Sequence, residues 1–220
     1  TDSKRGQLEA ATHLGPSLDS TKASITTGPD KNQEATTTSS VTTTVPVGET
    51  TTSTTTTASS VVTTPGGVDT SKVVMVGDSV MLGASGALKA ALPGARVDAK
   101  VGRQFKQILS VVDWYQRNGY LNGPVVIHLG TNGVFSDEDL DNLVAAAGKR
   151  KVLLVNAKVS RPWQSLVNER IAAAARRHPT VVLVDWYGLS SQHPEWFVND
   201  GAHLRPEGAT AFAELIRSNL

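Results

Sequence analysis

Four short runs constrain this chain more than any other feature: KVVMV (72–76), VVIHL (125–129), KVLLV (151–155) and TVVLV (180–184). Each is nearly all apolar and rich in β-branched residues. None shows the alternation of a half-exposed strand, so each reads as a strand covered on both faces. A weaker run, ARVDA (95–99), supplies a fifth strand candidate. Between the runs, apolar residues return at helical spacing over roughly 80–92, 103–117, 136–148, 163–177 and 206–219. Strand and helix alternating from 71 to 220 predict an α/β fold, a three-layer α/β/α sandwich on a five-stranded parallel sheet. In such sheets ligands bind beyond the carboxyl ends of the strands. The segments leaving the four strong strands then gather at one edge: Gly77-Asp78-Ser79, Gly130-Thr131-Asn132, Asn156-Ala157-Lys158 and Asp185-Trp186-Tyr187.

Upstream of this region the composition changes. Between positions 35 and 65, fifteen of 31 residues are Thr and five are Ser, too few large apolar groups to offset the entropy of ordering a chain. Residues 1–70 are therefore expected to form a disordered tether resembling O-glycosylated stalks, and 71–220 a single domain. A flexible chain of that length spans roughly 45 Å between its ends. The net charge of +1 gives no reason to expect a nucleic-acid partner or an electrostatic membrane anchor. No stretch of eighteen apolar residues is present, and TDSKRGQLEA at the start lacks the apolar core of a secretory signal. A piece of a larger protein fits these features. Without cysteine, disulfides, thiolate catalysis and Cys–zinc sites are excluded.

Ser79 follows a strand and opens a helix, which leaves two readings open. It can cap the helix, as Ser and Asp commonly do, or act as a nucleophile whose own N–H lies in the unsatisfied first turn. A nucleophilic Ser also needs a base. Of the five histidines, His13 lies in the tail and His128 inside an apolar strand, where a buried, hydrogen-bonded role is expected. His178 closes a basic helix, and His193 sits in a polar loop with nothing nearby to orient it. His203 differs, because NDGAHLRPEG places Asp200 three residues before it in a turn between the last strand and the last helix. An Asp at that offset can hold the imidazole tautomer and stabilise the imidazolium. Gly102, at a strand-to-helix turn, and Asn132, after a central strand, are candidate oxyanion donors; turn chemistry alone would also account for both. A single such donor is commonly worth ~3–4 kcal/mol of transition-state stabilisation.

In order, Gly77-Asp78-Ser79, Gly102, Gly130-Thr131-Asn132 and Asp200-Gly201-Ala202-His203 resemble the four blocks of the SGNH (GDSL-like) hydrolase superfamily, whose fold is flavodoxin-like. The resemblance covers 71–220 and departs from many hydrolases at Gly133, where Asp often follows the Asn. It implies a catalytic triad of Ser79, His203 and Asp200, with an oxyanion hole from the Ser79 and Gly102 N–H groups and Asn132. More narrowly, GDSVMLGA, KVGRQF, HLGTNG, RPWQSLVNE and the stretch VVLVDWYG through AFAELI look like the extracytoplasmic SGNH domain of OatA-type peptidoglycan O-acetyltransferases.

That narrower likeness implies a membrane-tethered, extracytoplasmic domain on the outer face of a bacterial membrane. A membrane acyltransferase domain of the same protein would deliver acetyl groups to it, with no cofactor held in the domain itself. The acceptor would be cell-wall glycan, at the C6 hydroxyl of N-acetylmuramic acid, and a monomer is the default expectation. Arg161, Trp163 and Arg103 are candidate glycan contacts: Arg161 for an acidic group of the acceptor or for pairing with a nearby carboxylate, Trp163 for stacking on a sugar face or for packing, and Arg103 for lining the site or capping. Two other readings stay open, a carbohydrate or acetyl esterase with the same triad and an acyltransferase of another surface glycan. A metal-dependent deacetylase is disfavoured, because no two His residues stand at a helical ligand spacing. A non-catalytic glycan-binding module needs no aligned Ser, His and Asp.

Overall fold

The computed structural model describes residues 67–220; the Thr-rich stretch and the tether expected there lie outside the described residues. Five strands, β1 (Val74–Gly77), β2 (Arg96–Ala99), β3 (Val125–His128), β4 (Val152–Val155) and β5 (Val181–Val184), form one all-parallel sheet in the order β2-β1-β3-β4-β5. The apolar runs align almost end to end, with Val74 beside Val125, Val125 beside Val152 and Val152 beside Val181. The weak run ARVDA became β2 at the sheet edge, where burial on one side suffices and its exposed Arg96 is tolerated.

Alternate residues of each strand feed the two faces. On one face Val76, Ile127 and Leu154 pack against α3 (Phe105–Arg117), α4 (Asp137–Ala147) and α5 (Gln164–Arg177) through Ile108, Leu143 and Ile171. On the other, Met75, Val126 and Leu153 meet α1 (Ser79–Gly83), α2 (Ser85–Ala91), α6 (Trp186–Ser190) and α7 (Pro206–Ser218) through Met81, Leu88, Trp186 and Phe212. Fully burying one such side chain is worth roughly 1.5–3 kcal/mol, and both faces do so along their whole length.

The helices begin where local chemistry allows. Ser136 caps α4 by accepting from the Asp139 N–H, while the Asp139 carboxylate accepts from the Ser136 N–H. Pro206 opens α7 where its missing N–H costs nothing. The helix expected over 80–92 is instead two short helices that meet at Ala84, flanked by Gly83 and Gly86, which carry low helix propensity. The aromatic segment after β5 holds the one-turn helix α6, capped by Asp185 through the Gly188 N–H. None of the described helices is long and apolar enough to cross a membrane.

Connections run from β1 to β2 on one side of the sheet and then to β3 on the other side of β1. The crevice at such a switch point, outside the carboxyl ends of β1 and β3, is where open α/β sheets bind ligands. Gly77-Asp78-Ser79 and Gly130-Thr131-Asn132 leave the sheet there.

Candidate active site

Asp78 and Ser79 stand at the end of β1, and the backbone separates the two readings of Ser79. The cap is Asp78: its Oδ1 accepts from the Val80 N–H at 3.0 Å. Ser79 is the first residue of α1, half-buried, and its Oγ lies 2.9 Å from Nε2 of His203. On the far side of the imidazole, Nδ1 is 2.6 Å from Oδ2 of Asp200. Serine, histidine and aspartate thus form one continuous hydrogen-bonded relay.

The Asp200 loop is held open towards Ser79 by its own backbone. Asp200 Oδ1 accepts from the N–H groups of Ala202 and His203, each at 2.9 Å. The Val198 N–H donates to the His203 carbonyl, and Phe197 and Leu204 form an antiparallel bridge that anchors the loop to buried Phe197. Partial burial pushes the Asp200 carboxyl up, but hydrogen bonds from the His203 ring and the two backbone N–H groups outweigh this and bring it down to about 2. The carboxylate is therefore charged across the physiological range, the state that holds an imidazolium.

Behind Ser79 lies a second carboxylate–imidazole pair that the sequence did not connect. Asp78 and His128 are each 1 % exposed, with Nδ1 of His128 3.2 Å from Asp78 Oδ1. Burial pushes the Asp78 carboxyl up, yet His128, the Val80 N–H and the Thr131 hydroxyl together hold it below the usual carboxylate range. The expectation that His128 is a buried, hydrogen-bonded core residue holds; its partner lies fifty positions away, beyond any local signal. Asn132 Nδ2 donates two long hydrogen bonds, to Asp78 Oδ2 at 3.4 Å and to the Arg103 carbonyl at 3.3 Å. Bonds at that limit are weak, so one N–H can turn onto a developing oxyanion.

Ser79, Asn132, Arg161, Asp200 and His203 share one cavity of about 320 Å³, to which Thr131, Val159, Ser160 and Ala202 also contribute. A larger hollow of about 560 Å³, at Gln116, Leu121 and Arg150, opens at the amino-terminal edge of the sheet, away from the relay. Three candidate residues stand outside the lining of the relay cavity. Gly102 occupies the turn after β2 with φ +67°, a conformation glycine adopts freely, next to the Arg103 carbonyl that Asn132 meets. Arg103 turns inward instead of lining the site. Its guanidinium donates to the Gly77 and Asp98 carbonyls and pairs with Asp98 Oδ1 at 2.6 Å, because a charge that is 8 % exposed must be satisfied. Trp163 donates its indole N–H to the Gly130 carbonyl at 3.0 Å and packs on the core, the packing alternative for this residue. Arg161 is exposed at the cavity mouth, 5.9 Å over the Trp163 ring.

The other histidines serve elsewhere. His178 caps the end of α5 and meets Asp141 at 2.7 Å, and His193 stacks on Trp196 at 3.8 Å and meets Glu195. Among the described residues, no three His, Cys, Asp or Glu side chains cluster as a metal site.

No protein-family model matches the chain. Peptidoglycan O-acetyltransferase OatA of Listeria monocytogenes is 40% identical over 148 residues, covering 67% of this chain and 24% of that protein. The chain thus spans about a quarter of the length of the curated relatives it matches. Among solved structures, the C-terminal catalytic domain of Streptococcus pneumoniae peptidoglycan O-acetyltransferase A, with a methylsulfonyl adduct, superimposes with a TM-score of 0.61 at 27% identity. That match covers 66% of this chain and 90% of the other. A GDSL-like lipase from Bacteroides thetaiotaomicron shares the fold with a TM-score of 0.52 at 20% identity, over 69% of this chain and 89% of the other. The resemblance read from the four sequence blocks is borne out in both sequence and fold.

Proposed function

We propose that this domain, which has the SGNH (GDSL-like) hydrolase fold and is similar in sequence to OatA-type proteins, is a serine-dependent O-acetyltransferase acting on peptidoglycan. The observation that carries the reading is the Ser79–His203–Asp200 relay, at 2.9 and 2.6 Å, on one cavity with Asn132. In the first half-reaction His203 Nε2 takes the Ser79 proton as Oγ attacks the donor's acetyl carbonyl. The tetrahedral oxyanion is met by the Ser79 and Gly102 N–H groups and by Asn132. Collapse expels the donor's alkoxide, which takes the proton from His203, and leaves acetyl-Ser79. A glycan hydroxyl then attacks that ester while His203 accepts its proton. The second collapse transfers the acetyl group and returns the proton to Ser79.

We assign the C6 hydroxyl of N-acetylmuramic acid as the acceptor, and a membrane acyltransferase domain of the full-length protein as the acetyl source. The domain then works outside the cell, tethered to the membrane. No step requires a cofactor in this domain. One observation favours esterase side activity: the side chains of His203 and Asp200 are 47% and 49% exposed, so water reaches the acyl-serine. Transfer and hydrolysis differ only in which nucleophile takes the second step.

The test uses the full chain with p-nitrophenyl acetate, with and without a muramic-acid-containing oligosaccharide. The expected result is acetylated glycan by mass spectrometry, lost in Ser79→Ala together with at least roughly 10⁴-fold in kcat for ester cleavage. Release of acetate alone, whatever the acceptor, would establish the esterase instead. Turnover that survives Ser79→Ala would overturn both.

A further inference from the structure

We propose a second ligand site beside the relay, a cavity of about 270 Å³ that takes a carboxylate carried on a short branch of the acceptor; this rests on the glycan-acceptor reading above. It is bounded by Lys158 from the β4–α5 loop, Ser190 at the end of α6, and Phe197, Val198, Asn199 and Gly201 from the loop before α7.

The same two loops wall the relay cavity, through Val159, Ser160 and Arg161 on one side and Asp200, Ala202 and His203 on the other. The cavities adjoin, since Gly201 lines this one while its neighbours Asp200 and Ala202 line the other. The β4–α5 loop is held in place: Asn168 bonds both the N–H and the carbonyl of Ala157, and Gln164 accepts from the Val159 N–H at 2.7 Å. A glycan engaged at Ser79 therefore has a formed neighbour site for whatever branch it carries.

The chemistry of that neighbour follows from donors that lack acceptors. Lys158 makes no ion pair among the described residues; its ammonium lies 5.7 Å over the Tyr187 ring. The Asn199 amide makes no hydrogen bond among the described residues either, and no Asp or Glu lines the cavity. A cation and a neutral amide donor match a single charge shared by two oxygens. Pro194, Phe197 and Val198 offer an apolar wall for the aliphatic arm of such a group. One cation suits a carboxylate better than a doubly charged phosphate. The lactyl acid of a muramic sugar and the terminal carboxylate of a short peptide linked through it share this chemistry.

The test is binding in a Ser79→Ala background, independent of turnover. Calorimetry compares muramic-acid oligosaccharides bearing the free lactyl acid, its amide, and a short peptide with a free or amidated terminus. The expected result is about tenfold tighter binding of one acid over its amide, a preference lost in Lys158→Met and kept in Lys158→Arg. Which acid is preferred, lactyl or peptide-terminal, identifies the source. Equal affinity for each acid and its amide, a preference that survives Lys158→Met, or no affinity for any acceptor at millimolar concentration would overturn the proposal. So would a preference removed by Arg161→Met and not by Lys158→Met, which would place the acid in the relay cavity. Absence of acetyl transfer in the wild type alongside an intact acid preference would overturn the acyltransferase reading and leave this site standing.

Discussion

Asp78 and Ser79 divide two tasks that one polar residue at a strand-to-helix turn can combine. Asp78 caps α1 and anchors His128 and Asn132, which leaves the Ser79 hydroxyl to His203. Asp200 is the residue whose charge can be followed most directly. Its carboxyl stands at about 2 in the fold against roughly 3.9 in an unfolded chain. The folded value is the lower one, so its contribution to stability is complete above the unfolded value. That contribution fades as pH falls through the window from about 4 to about 2. Asp200→Asn is therefore expected to flatten the loss of stability across that acid window, followed by thermal melting at a series of pH values. The same variant keeps the shape of the loop but removes the charge facing His203. Its kcat for p-nitrophenyl acetate should fall on the order of 10⁴-fold, with KM little changed. A fall of less than tenfold would mean that the Asp200–His203 contact does not support the reaction.

At the scale of elements, the site depends on how closely α1 returns to β1. A Cβ at Gly77 would lie 2.6 Å from both Cβ and the sulfur of Met81, so only glycine lets the helix start where Ser79 faces His203. Gly77→Ala is expected to destabilise the protein by about 1–3 kcal/mol through overpacking and to lower kcat by shifting Ser79. Urea unfolding and ester hydrolysis on the same preparation check both. Unchanged values would show that Met81 repacks at no cost. The short helix α6 has a comparable role at the other end of the edge. Asn156 donates to Asp185 at 2.7 Å and accepts from the Tyr187 N–H, tying the end of β4 to the start of α6.

Over the whole molecule, residues 67–220 supply both faces of the sheet with complete cores. A fragment of those residues is expected to unfold in one cooperative transition and to hydrolyse p-nitrophenyl acetate at the rate of the full chain. Within it, Phe212→Ala should cost about 3–5 kcal/mol in urea titrations, since Phe212 is 0% exposed and packs edge-on against both Trp186 and His128. Multiple transitions, or a loss below 1 kcal/mol, would contradict a single core on that face.

The sequence by itself determined the strands, their parallel sheet and the edge at which Ser79, Asn132, Asp200 and His203 collect. Those follow from short-range physics: β-branched runs, helical spacing, and polar turns at the strand ends. Tertiary structure alone decided how the polar side chains are used. Asp78 finds His128 fifty positions away, and Arg103 turns inward to satisfy a buried charge with Asp98 and Gly77. Trp163 bonds the Gly130 carbonyl, and Lys158 and Asn199 border one cavity that no local pattern announces. Periodicity records which face of an element is covered. It carries no record of which polar atom, far along the chain, will stand within 3 Å of another, because that distance is set by packing both cores at once.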